Sequence, residues 1–173
     1  MQTSTGVFTR RLGAMSHHIR TLCSAVLLMA ACLLSGTAMA HGDVVPQSVN
    51  TTTLPPLGEK WLPANPYSEG PAHKEALRIG TSAYNQNCAR CHGLEAISGG
   101  IAPNLRKIDG DCMGLADAAK KMACYKETDE FFLGTVRRGR VRDGRVYMPP
   151  FEGILNQEAI WAIKTYLETR REP

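Results

Sequence analysis

Cys88-Ala89-Arg90-Cys91-His92 brings two thiols and an imidazole within five consecutive residues. A two-residue gap lets both sulfurs reach one edge of a flat macrocycle, where each adds across a vinyl group to give a thioether. The imidazole that follows is then available to a central iron. C-x-x-C-H is the attachment signature of c-type haem. A redox disulfide of the C-x-x-C kind belongs in a βαβ setting, and none is visible in this chain. A structural zinc site needs two further ligands at matching spacing. Cys112 and Cys124, with eleven residues between them, lack that spacing.

An iron held by His92 has a second axial position. His41 and His73 both precede the motif, so a methionine is the better candidate. Met113 adjoins Cys112 in a polar loop, and Met122 falls in a predicted helix, where packing is the expected role. Met148 stands in Val146-Tyr147-Met148-Pro149-Pro150-Phe151, just before the last predicted helix. Proline removes backbone freedom, so Pro149 and Pro150 would hold the sulfur in place. No histidine follows Cys112 or Cys124, which excludes a second haem of this type. A disulfide between them would close a small loop and stabilise by ~3 kcal/mol in the chain-entropy model.

The elements that must position these groups are helical. His73–Asn87 carries Ala76, Ile79, Gly80, Ala83 and Tyr84 at helical spacing and runs straight into Cys88. Residues 93–113 read as loop, Leu115–Lys126 as a short helix. Thr128 can cap another helix, with Asp129 and Glu130 in its first turn and Phe131, Phe132, Leu133 and Val136 on its apolar side. Gly139–Pro150 reads as loop. Asn156 can cap a last helix from Gln157 to about Arg171, with Ile160, Ile163, Tyr166 and Leu167 inward. No run reads as a strand. Loops this long in a compact domain imply that something besides side chains fills its centre.

The 173 residues suffice for one ordinary domain. The first 40 read as a cleaved secretory signal peptide. Arg10, Arg11, His17, His18 and Arg20 precede an apolar run, Leu22–Leu34, and Ala38-Met39-Ala40 supplies the cleavage site. The apolar run starts too late after Arg10-Arg11 for twin-arginine export. It also continues past Cys32, against a lipoprotein site there. Residues 41–72, rich in proline, read as an extended arm, with Trp61, Leu62 and Tyr67 lying on the core. Residues 73–173 form the remaining domain. No later stretch is long and apolar enough to span a membrane. Without the leader, 17 of the 20 lysines and arginines and all 16 acidic residues remain, a formal charge of +1 rather than +4. The basic balance is therefore no sign of nucleic-acid binding. Five arginines, Arg137, Arg138, Arg140, Arg142 and Arg145, still crowd nine positions, with Asp143 alone opposing them. They read as a solvated loop, or as a surface for docking or for haem propionates.

The order of helix, CARCH, Ala102-Pro103-Asn104-Leu105, helix, YMPPF and C-terminal helix resembles the class I cytochromes c across residues 73–171. The resemblance implies an all-α fold with crossed N- and C-terminal helices around one covalently bound haem c. It implies that Gly80 and Tyr84 meet Tyr166 at the crossing. It also implies that Pro103 turns its carbonyl to the ring N–H of His92, the kind of partner that metal-bound histidines almost always have. More narrowly, HGDVVPQ, YNQNCARCHGLEAISGGIAPNLR, the Cys112/Cys124 pair, TVRRGR and VYMPPFEGILNQEAIWAIKTYLE are similar to the PedF-type periplasmic cytochromes c. Those accept electrons from pyrroloquinoline-quinone alcohol dehydrogenases, a partner assignment that comes by analogy.

The expectation is a periplasmic monohaem electron carrier, not an enzyme. Its cofactor-binding residues are Cys88, Cys91, His92 and Met148, and the iron ligands are His92 and Met148. A quinoprotein dehydrogenase would be the donor and a downstream cytochrome or oxidase the acceptor. Two other classes remain open. One is a haem enzyme or gas sensor with an open sixth position. The other is a fixed subunit of a membrane oxidase or dehydrogenase complex.

Overall fold

The computed structural model describes residues 45–172. The expected leader, residues 1–40, and its cleavage site lie outside them, as do residues 41–44 and 173.

Five α-helices and one small hairpin make up the described chain. They are α1 (His73–Asn87), α2 (Ala89–His92), α3 (Gly110–Met113), α4 (Ala118–Arg138), the strands β1 (Arg140–Arg142) and β2 (Arg145–Met148), and α5 (Gln157–Glu168). The class is all-α, as expected, with the hairpin as an addition.

The fold turns on the crossing of α1 and α5. α1 buries Ala76, Ile79, Gly80, Ala83 and Tyr84, the face that its periodicity marks. On α5, ten of the twelve residues are buried, so this helix forms the centre rather than one side of the core. The Asn156 side chain caps it by accepting from the Ala159 N–H at 2.9 Å. It ends at Glu168, one turn before Arg171. Tyr84 and Tyr166 meet with ring centroids 4.9 Å apart. Gly80 differs from expectation: it faces the Ala162 backbone, where a Cβ would overlap the carbonyl, rather than Tyr166. The missing side chain lets the two backbones touch.

The predicted break near Thr128 does not occur. α4 runs unbroken for 21 residues, capped by Asp117, whose side chain accepts from the Lys120 N–H at 2.8 Å. Lys126-Glu127-Thr128-Asp129-Glu130 contains no glycine or proline to stop it. Thr128 Oγ1 donates back to the Cys124 carbonyl at 3.0 Å instead of capping. Asp129 is buried. The loop read over 93–113 contains two 3₁₀ turns, Leu94–Ala96 and Leu105–Lys107, besides α3.

The segment 139–150, expected as loop, holds the hairpin. Val141 pairs with Val146 and Arg142 with Arg145. Asp143 and Gly144 form the turn at φ 51° and 72°, the positive values that a two-residue type I′ connection requires.

The arm has no helix or strand over residues 45–72, yet it is tied down. Leu54 and Tyr67 are buried, and Val49, Leu57 and Trp61 pack against the core. Two of its backbone N–H groups bond to side chains of α5. The Leu57 N–H donates to Glu158 and the Leu62 N–H to Gln157, each at 2.7 Å.

One charged group sits inside this core. Lys164 on α5 is fully buried, with its Nζ 3.2 Å from Asp109, 3.0 Å from Asp129 and 3.2 Å from Glu168. Arg171 reaches the same Asp109 at 2.6 Å. Burial alone would lower the lysine pKa, but Asp129, Glu168 and Asp109 outweigh it and raise it above the ordinary value.

Candidate functional site

α1 delivers Cys88 at its end, and the single turn of α2 delivers Cys91 and His92. The Cys91 and His92 N–H groups both donate to the Cys88 carbonyl, at 3.1 and 2.9 Å, so the motif is one compact turn. Both thiols are free and half-buried. Burial, with the neighbouring Cys91 second, pushes the Cys88 thiol up to about 12, so it is held as a neutral thiol.

His92 Nδ1 lies 2.9 Å from the Pro103 carbonyl. A carbonyl can only accept, so Nδ1 carries the proton and Nε2 keeps its lone pair. Burial lowers the His92 pKa; the Pro103 bond opposes this but does not reverse it. The net lowering favours a neutral imidazole, and the Pro103 bond selects the tautomer whose Nε2 can bind iron. The Asn104 side chain caps the following 3₁₀ turn by accepting from the Arg106 N–H, which steadies the loop next to Pro103.

These groups face a cavity of about 760 Å³. Pro103, Leu105 and Ile108 form one side of it. Phe131, Phe132 and Val136 of α4 contribute another, and Ile163 and Leu167 of α5 a third. Tyr147, Met148, Pro149 and Phe151 complete the enclosure. The lining is predominantly apolar and the volume is within the roughly 300–1,000 Å³ usual for cofactor sites.

The structure therefore brings all four predicted site residues, Cys88, Cys91, His92 and Met148, to one cavity. Met113 and Met122 do not line it. Met122 does not pack as expected either, for it points to solvent and is 72 % exposed. The Cys112–Cys124 disulfide is present and joins α3 to α4 along the cavity wall. Among the described residues no cluster of three or more His, Cys, Asp or Glu is arranged to hold a bare metal ion.

Two features of the site escape the periodicity reading. Phe131, assigned to the apolar side of its helix, is 60 % exposed and stands at the cavity wall. The signal was available, since three consecutive apolar residues cannot share one face of a helix. Arg140 also lines the cavity. Its guanidinium donates to Thr135 Oγ1 at 2.6 Å and lies over the Phe131 ring. Arg137 is spent elsewhere, stacked on Trp61 and paired with Glu152 at 2.6 Å.

A mostly helical shell that turns two thiols, a neutral imidazole and a thioether toward one apolar space has the chemistry of a c-type cytochrome. The comparisons agree. Residues 75–167 match the family described as cytochrome C oxidase, cbb3-type, subunit III. The chain is 50 % identical to cytochrome c550 of Pseudomonas aeruginosa over 145 residues, covering 83 % of this chain and 90 % of that one. It is 33 % identical over 95 residues to the quinohemoprotein alcohol dehydrogenase ADH-IIG of Pseudomonas putida and 31 % identical over 105 residues to cytochrome b/c1 of Bradyrhizobium diazoefficiens. Those matches cover 55 % and 61 % of this chain but only 11 % and 15 % of the longer relatives. No solved structure matches significantly. The chain belongs to the cytochrome c family, an electron-transfer family whose cofactor is one covalently bound haem c. The free thiol pair, the apolar lining and the ligating tautomer of His92 all fit that group.

Proposed function

We propose that Cys88 and Cys91 would carry the two thioether links to the haem and that His92 and Met148 would hold its iron. The protein is then a periplasmic one-electron carrier, not an enzyme. The haem, when bound, supplies a one-electron couple, and methionine as the second ligand raises its potential relative to a bis-histidine site. The chain's residues hold the group, keep water from it and fix the His92 proton on Nδ1 through Pro103. The observation that carries this reading is that Met148, alone among the described methionines, lines the same cavity as His92. With both His92 and Met148 on the iron, no position would be left for a substrate.

A quinoprotein alcohol dehydrogenase is the proposed donor, and a downstream cytochrome or oxidase the acceptor. The donor reading is supported by the related stretch within a quinohemoprotein alcohol dehydrogenase. The division into a cleaved leader (1–40), an arm (41–72) and a haem domain (73–173) belongs to the same proposal, as does the periplasm. Among the described residues no helix is long and apolar enough to cross a membrane.

Spectroscopy tests the ligand set. The ferric protein should be low-spin with a weak sulfur-to-iron band in the far red. Met148→Ala should lose that band and bind cyanide readily, whereas Met113→Ala and Met122→Ala should keep it. A high-spin wild-type spectrum would instead identify an enzyme or sensor with an open site. The matched family's description names an oxidase subunit, so a fixed-subunit role is the second reading. It requires the protein to co-purify with a membrane complex, and an intact mass that begins at His41 with no lipid counts against it.

A further inference from the structure

We infer that the β1–β2 hairpin is a docking element for an acidic protein surface, guiding an electron-exchange partner to the cavity mouth. The inference rests on the reading of the cavity as the haem site.

The hairpin is poorly explained as a folding element. Every residue from 140 to 147 is exposed. Arg142 and Arg145 are direct cross-strand partners, and like charges placed opposite each other destabilise a strand pair. Asp143 offers little relief: it lies 3.7 Å from Arg142, and both side chains are about four-fifths exposed, 79 % and 85 %. Val141 and Val146, also cross-strand partners, are 66 % and 64 % exposed, and Tyr147 is 64 % exposed. An apolar centre rimmed by arginines, with a tyrosine beside it, has the composition of a protein-binding surface.

The hairpin is also held in place. At its base the Phe151 and Glu152 N–H groups donate to the Val136 and Arg137 carbonyls, at 3.0 and 3.2 Å. Arg137 and Glu152 add an ion pair at 2.6 Å. A tight type I′ turn closes the other end. A surface held this way loses little freedom when it binds. Its last residues lead directly into the cavity wall, since Tyr147 and Met148 line it and so does Arg140 at the start of β1. A partner seated on the hairpin is therefore next to the cavity.

Charge selects the occupant. A second copy of this chain docked symmetrically would bring Arg142 and Arg145 against their own equivalents. An acidic protein surface would neutralise them and remove the cross-strand repulsion. Electrostatic steering of this kind raises association rates by roughly 10–10³-fold and weakens with salt.

The test uses the haem-loaded protein with a double reversal, Arg142→Glu with Arg145→Glu. The control is Lys60→Glu with Lys74→Glu, which changes net charge equally on the arm and on α1. Stopped-flow reduction is measured first with two small probes, anionic hexacyanoferrate(II) and cationic hexaammineruthenium(II). The hairpin reversal should slow the first and speed the second by several-fold more than the control does. Reduction by a purified quinoprotein alcohol dehydrogenase should then fall by about tenfold or more at low salt and lose most of its salt dependence. Equal effects of reversal and control with the small probes would overturn the inference. So would binding to vesicles containing phosphatidylglycerol that the reversal abolishes while the dehydrogenase rate stays unchanged, because that outcome assigns the hairpin to a lipid surface. A dehydrogenase that reduces neither variant nor wild type, with the small probes behaving as expected, removes the proposed donor but keeps the docking surface.

Discussion

Lys164→Met isolates the buried charge group under the α1–α5 crossing. The native group sets two cations, Lys164 and Arg171, against Asp109, Asp129 and Glu168. After the substitution Arg171 still reaches Asp109 at 2.6 Å and Glu168 at 3.6 Å. Asp129, only 8 % exposed, keeps a single described partner, the Asn65 N–H at 2.8 Å. Removing one member of a buried ion group costs roughly 3–5 kcal/mol because a charge is left unpaired. That is a large share of the roughly 5–15 kcal/mol of a typical domain. At about 4 °C per kcal/mol it lowers Tm by roughly 12–20 °C. Methionine fills much of the lysine stem's volume, so the loss reports charge more than packing. Adding Asp129→Asn to Lys164→Met should therefore restore about half of it. The pH dependence has a definite sign. The folded lysine pKa is raised, so its contribution is complete below the ordinary value of about 10.4 and fades as pH rises through the folded value. The gap between wild type and variant should hold at neutral pH and narrow in strong alkali. Guanidinium denaturation of the haem-loaded protein, followed by circular dichroism, measures it. A loss under about 1 kcal/mol, or no recovery in the double variant, would refute the idea that Asp129 depends on Lys164.

Gly80→Ala gains up to about 1 kcal/mol of helix propensity but drives a Cβ into the Ala162 carbonyl, which cannot rotate away. Overpacking typically costs 1–3 kcal/mol, so a net loss of about 1 kcal/mol is expected, visible as a lower denaturation midpoint. Replacing Cys112 and Cys124 together by serine should cost ~3 kcal/mol by the loop-closure argument. The far-red band should survive that change, because the proposed ligands are His92 and Met148, and its disappearance would assign the disulfide a role at the iron.

The residues that meet at the candidate site were largely legible because their chemistry is local. Two thiols and an imidazole in five residues have few other uses, and Pro103 and Met148 stand out by residue type and position. The features that local sequence does not disclose depend on distant partners or on competition between local rules. Lys164 reads as a polar position on a helix, since its carboxylates come from residues 109, 129 and 168, and only the first two lie far away in sequence. Gly80 does lie at the crossing, but periodicity cannot say whether it meets a ring or a backbone. Thr128-Asp129 has the chemistry of a cap, yet a helix with no breaker continues through it, and the threonine bonds backward to Cys124. The hairpin, by contrast, had its signal. Asp143-Gly144 between alternating residues marks a type I′ turn.

The crossing of α1 with α5 also sets an order in time. As the chain is made, His73–Asn87 and the CARCH turn appear early, and Gln157–Glu168 comes almost last. α1 cannot bury its apolar face until that late segment exists. The cavity walls from α4, the hairpin and α5 are likewise all delivered after the two cysteines. When the thiols first appear, the room that will enclose them has a floor and no walls. The molecule that later shields this site from water must begin with it open.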